Sequence, residues 1–220
     1  MAHALAADGQ AEVRAGPRSR KGVQTRARLL DAAKLVFEER GFLEARISDI
    51  AERAGVSHGA FYHYFDSKEQ AFREVATALD ERLSEPMEEI VFAPSSAGGP
   101  RDRLVEGIRR HLESYRDEAR IMGVIEQVAR YDDEVFAVRA AAGARHRRQM
   151  ADSIRRLQAR RRADRTIDPE IAAAALGSMV ERFAEMWLAQ GQLEAELDAD
   201  LEEAAGTLAS LFVNALRVKA

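Results

Sequence analysis

The sequence predicts an all-α chain, and three observations carry that expectation. Apolar residues recur at helical spacing from Gln24 onward, caps and stop signals punctuate them, and no segment alternates as a strand does. The expected organisation is a disordered basic arm over 1–20, a helix-turn-helix domain over 21–66 and a helical body over 67–220. A chain of 220 residues, 46% apolar and 32% charged, can bury a core and is not a disordered composition. No apolar run approaches the ~20 residues of a membrane span. Met1 to Ala7 does not read as a signal peptide, so a cytoplasmic protein is expected. The absence of cysteine excludes disulfides, thiolate catalysis and Cys-based zinc sites.

The elements follow in order. Residues 1–20 hold Gly, Pro17 and basic charge without an apolar period, which suits an arm. From Gln24, Leu29, Ala33, Val36 and Phe37 line one helix face, and Gly41 is its stop. A second helix fits Ile47 to Ala54, ended by Gly55. A third starts after Ser57 as N-cap, and Ser67-Lys68-Glu69-Gln70 opens a fourth as a capping box. Pro86 and the Pro94–Pro100 stretch break the chain. Helices resume over 101–118, 120–130, 133–162, 169–190 and 200–217, with Asp168-Pro169 as cap and first residue and Gly191 as a C-terminal stop.

The formal charge of −4 conceals segregation. Val13 to Leu30 carries Arg14, Arg18, Arg20, Lys21, Arg26 and Arg28 and no acid. This stretch is a solvated tail or a segment that tracks a nucleic-acid backbone. Arg139 to Arg165 holds ten arginines against Asp152 and Asp164. That run is a solvated helix face or meets an anionic ligand group, such as the phosphates of an acyl-coenzyme A.

Two short helices flanking the Ala54-Gly55-Val56-Ser57 turn form a helix-turn-helix, held by Ile50, Ala51, Val56, Phe61 and Phe65. With Phe61 and Phe65 inward, Gly59 and His63 point outward, flanked by Ala60 and Tyr62. Glycine lets a helix approach DNA closely, Ala60 suits a thymine methyl, and Tyr62 and His63 suit phosphates or base edges. Tyr64 either packs or donates its hydroxyl to a phosphate. Ser57 and Lys68 suit phosphates at helix starts. Ser48 and His58 complete the candidate set. His58 and His63 are five apart, not at the i,i+4 spacing of metal ligands, so no metal is expected.

Residues 24–75 resemble the DNA-binding domain of TetR-family transcriptional regulators. The resemblance rests on Arg28-Leu-Leu-Asp-Ala-Ala, Phe37-Glu-Glu-Arg-Gly-Phe42, Asp49-Ile-Ala-Glu-Arg-Ala-Gly-Val-Ser57, Tyr62-His-Tyr-Phe65 and Ser67-Lys-Glu69. It implies a third helix in the major groove, with Ala60, Tyr62, His63, Tyr64 and Lys68 on DNA. Arg46 departs from the Ser or Thr common at that place, which leaves it available for a phosphate.

On a helical wheel the 169–190 segment is apolar over roughly 220°, against the ~100° stripe of a surface helix. One side is large (Leu176, Phe183, Trp187) and another small (Ala173, Gly177, Ala184). The last helix gathers Leu201, Ala204, Ala205, Leu208, Leu211, Phe212, Ala215 and Leu216 on one face. Either both belong to a monomer core, or they form a homodimer interface across a two-fold axis, which a two-fold operator requires. Tyr115, Met122, Ile125, Val128, Phe136, Phe183, Met186 and Trp187 are candidates for a ligand pocket. The resemblance implies that a small molecule bound there releases the operator.

The expected function is therefore a ligand-responsive repressor, binding a palindromic double-stranded DNA operator as a dimer and released by a small, largely apolar effector. The alternatives are an activator and a DNA-binding protein without a ligand. No cofactor, membrane partner or enzymatic activity is expected. The chain has no Gly-x-Ser-x-Gly elbow, phosphate-binding Gly-rich loop or His-rich metal motif.

Overall fold

Ser19 starts the first helix earlier than the apolar period does. Its hydroxyl accepts the Gly22 amide at 3.1 Å, so α1 (Arg20–Glu44) takes in Arg20 and Lys21, which the sequence assigns to the arm and its edge. Gly41, at φ 71°, leaves the helical path as expected. This computed structural model describes residues 19–87, 99–193 and 196–219. The remainder of the basic arm, residues 1–18, and all but the end of the 94–100 break lie outside the described residues.

Among those residues the regular structure is entirely helical. After α1 come α2 (Ile47–Arg53), α3 (His58–Phe61) and α4 (Lys68–Pro86), then α5 (Pro100–Asp117) and α6 (Ala119–Val128). The chain closes with α7 (Asp133–Ala159), α8 (Pro169–Ala184) and α9 (Leu201–Ala215). Side chains of Ser57, Ser67, Asp132, Asp168 and Asp200 cap the starts of α3, α4, α7, α8 and α9. No helix of the described residues is long and apolar enough to cross a membrane.

One apolar core runs through both halves. Phe37 of α1 meets Phe72 of α4 edge-on at 4.9 Å, and Phe42 lies 4.8 Å from Phe72. The buried cluster continues from Leu29 and Phe61 through Leu79 of α4 to Ile108, Leu112, Ile121 and Phe212. Helix α4 packs on α1, α5 and α7, and so joins the N-terminal helices to the body.

One expectation needs correction, and three readings left open are narrowed. The 169–190 helix is not one α-helix: its end, Glu185–Ala189, is a π turn, with the Gln190 amide on the Glu185 carbonyl at 2.9 Å. The small side of α8 meets α7 of the same chain. Gly177 is buried, and a Cβ there would come 3.8 Å from Met150 Cε. The apolar face of α9 is largely covered by α5, with Ala204, Ala205, Leu208 and Phe212 buried. Arg139 is no solvated residue. Its Nη1 lies 2.7 Å from Asp80 and its Nη2 2.7 Å from Glu126, because it shares the inner face of α7 with Val135 and Ala142.

Candidate nucleic-acid interface

Helix α1 fixes the helix-turn-helix. Arg40 pairs with Asp49 at 2.6 Å and Arg53 with Glu39 at 2.8 Å, tying both ends of α2 to α1. Those contacts hold the Glu39 carboxyl below the usual range, with the Arg53 hydrogen bond as the main cause. Arg26 pairs with Glu74 of α4 and lies 4.9 Å over the Phe65 ring. Between α2 and α3, Gly55 at φ 68° makes the tight turn.

Helix α3 is shorter than the wheel assumed. It ends at Phe61, and the His63 and Tyr64 amides reach only three residues back, to Ala60 and Phe61. The exposure pattern survives because Phe61 and Phe65 stay buried at either end. Tyr62 is 43% exposed, His63, His58 and Ser57 are exposed, and Ala60 and Tyr64 are half-buried. The His58 and Tyr62 rings meet edge-on at 5.5 Å. A Cβ on Gly59 would meet nothing within 4 Å, so the fold itself does not need a glycine there. Arg46 and Ser48 are exposed at the start of α2, which has no side-chain cap.

Two phosphate expectations are altered. The Ser57 hydroxyl already accepts the Ala60 amide at 3.2 Å, so that amide is taken. Lys68 Nζ donates to the carbonyls of Phe42, Leu43 and Ala45 at 2.8, 3.3 and 3.0 Å. Its charge is used within the chain, at the C-terminal end of α1, where carbonyls lack helical partners.

The family model for bacterial regulatory proteins, tetR family, matches residues 29–75. Residues 29–75 thus match the N-terminal DNA-binding domain of that family. The TetR-type domain carries the similarity to curated relatives. An uncharacterized HTH-type regulator of Bacillus subtilis, YdgC, is 42% identical over 72 residues, which are 33% of this chain and 37% of that protein. The HTH-type transcriptional repressor KstR2 of Rhodococcus jostii is 41% identical over 80 residues, 36% of this chain and 39% of its own. The matched segment thus spans about two fifths of these relatives. The solved structure of Salmonella enterica GusR superposes with a TM-score of 0.72 at 20% identity, over 91% of this chain and 100% of that one. The fold of that structure therefore extends through the body of this chain as well.

The residues expected to line a ligand pocket are not in the linings of the two cavities described below. Tyr115, Met122, Ile125, Val128 and Trp187 are buried in the core. Burial raises the Tyr115 hydroxyl well above its ordinary pKa. Phe183 and Met186 are half-buried, with the Phe183 ring 5.3 Å from Trp187. Phe136 is 60% exposed. It lies in the first turn of α7, whose inner face there is Val135. A polar cavity of about 220 Å³ lies instead between α4, α5, α7 and α8, with Asp80, His111, Arg139, His146 and Glu181 in its lining. An apolar cleft of about 150 Å³ between α5, α7 and α9 includes Arg103, Arg156 and Arg160. A sequence signal for the polar cavity did exist: His111 and Arg139 fall on the apolar faces of α5 and α7.

Proposed function

We propose that this chain is a DNA-binding transcriptional repressor. It binds a palindromic operator as a homodimer and leaves it when a small molecule occupies the helical body. The observation that carries this reading is the outward set of Tyr62, His63 and the open Gly59 on a short element pinned from within by Phe61 and Phe65. Among the described residues the packing does not need a glycine at 59, whereas close approach of a helix to a major groove favours one. The homodimer is supported by apolar surface left on the last two helices: Ile171 of α8 is 70% exposed and Leu211 of α9 48% exposed. The repressor name of KstR2 supports the sign of regulation.

Selection of bound DNA from a random pool by the full chain tests the reading. The expected product is an inverted repeat. On that sequence Tyr62→Ala and His63→Ala each weaken binding by about 1–3 kcal/mol with helix content unchanged. A pool that does not enrich, or variants that bind like the parent, would count against it.

A further inference from the structure

The polar cavity has an inner wall of hydrogen-bond acceptors. His111 is 5% exposed, and its Nδ1 lies 3.0 Å from the Leu83 carbonyl oxygen. A carbonyl oxygen only accepts, so Nδ1 carries a proton, and in the neutral form of the ring Nε2 offers a lone pair. Among the described residues that nitrogen has no hydrogen-bond partner. Glu181 Oε1 lies 3.7 Å from it, another acceptor, too distant for a hydrogen bond. Asp80, 8% exposed, adds a carboxylate to the same cavity and is held by Arg139. Nε2 is buried while the Glu181 side chain is 48% exposed, so a donor placed between them satisfies the buried acceptor and bridges it to the carboxylate.

The outer side is basic. Arg147 is exposed on α7 and lines the cavity together with half-buried His146. A Cβ on Gly143 would come within 3.0 Å of the Arg147 guanidinium. Glycine at 143 therefore leaves that group room to lie along the helix at the cavity.

We infer that this cavity binds a small hydroxy- or amino-acid-like molecule. Its hydroxyl or amine lies between His111 Nε2 and Glu181, and its anionic group lies against Arg147. This rests on the ligand-responsive reading above and replaces the largely apolar effector with a polar one.

Calorimetric titration of the full chain tests it with matched probes: 4-hydroxybutyrate and 4-aminobutyrate against butyrate, and 4-hydroxybenzoate against benzoate. The donor-bearing member of at least one set binds at least tenfold more tightly. Glu181→Gln and His111→Leu reduce that preference. Arg147→Gln, an exposed change that leaves the core untouched, weakens the anionic probes as a class. The inference is overturned if butyrate and benzoate bind as well as their donor-bearing partners. It is also overturned if no donor-bearing probe binds at millimolar concentration, or if Arg147→Gln binds every probe like the parent. Gel shifts on the selected DNA separate the two levels. Probes that bind without releasing DNA leave the cavity chemistry standing and remove ligand control. Release by an apolar compound alone retains ligand control and removes the polar inference.

Discussion

Lys68 illustrates what a side chain can do that its neighbours in sequence do not reveal. The capping box at Ser67 is local and legible, and the hydroxyl does accept the Gln70 amide. The three carbonyls that Lys68 holds lie 23 to 26 residues away, beyond any local pattern. The ammonium also sits 4.6 Å over the Phe42 ring, so the stem and the charge both pack against the end of α1. Lys68→Met keeps the stem and removes the charge-assisted bonds. It should lower stability by about 1–3 kcal/mol in urea denaturation. An unchanged midpoint would return Lys68 to an external role. Tyr62 and His63 were readable for the opposite reason: the fixed inward phase of Phe61 and Phe65 decides which neighbours face out, even where the helix itself stops early.

At the level of elements, helix positions followed the caps closely, whereas the neighbours of the helix faces stayed open in the sequence. Apolar excess on α8 and α9 says that a face is covered, not which chain covers it. The small side of α8 goes to α7, and most of the α9 face goes to α5. The surface left for a second copy includes Ile171 and Leu211. In sedimentation experiments, Ile171→Asp and Leu211→Asp should yield monomers with normal helix content. Gly177→Leu, pressing toward Met150, should instead cost about 1–3 kcal/mol of stability and leave assembly intact. The π turn at Glu185–Ala189 escaped detection because no Pro or Gly interrupts 185–189 and its residue types suit an ordinary helix.

Over the whole molecule, charge as well as apolar packing crosses from the N-terminal helices to the body. Glu118, at the α5–α6 junction, lies 2.7 Å from Lys34 of α1 and 3.0 Å from Arg82 of α4. Burial alone would lower the Lys34 pKa, but Glu118 and Glu38 hold it above its ordinary value. This share of stability is complete below the ordinary lysine range and is lost as pH rises through the raised value. Because the apolar core is also continuous, unfolding should be a single transition. Fluorescence of Trp187, the one tryptophan, should coincide with loss of helix content. Glu118→Gln should shift both curves together to lower denaturant, and a split into two transitions would contradict the continuity of the core. Helix α4 gives this continuity a mechanical meaning. Its 19 residues make a rod about 28 Å long at ~1.5 Å per residue. Lys68 grips the end of α1 at one end, while Asp80, Leu83 and Ser84 border the polar cavity toward the other. A rod of that length tilted by about 5° moves its far tip by about 2.5 Å, well beyond the few tenths of an ångström that a hydrogen bond tolerates. A tilt of a few degrees in α4 is thus enough to move the surface that carries Tyr62 and His63.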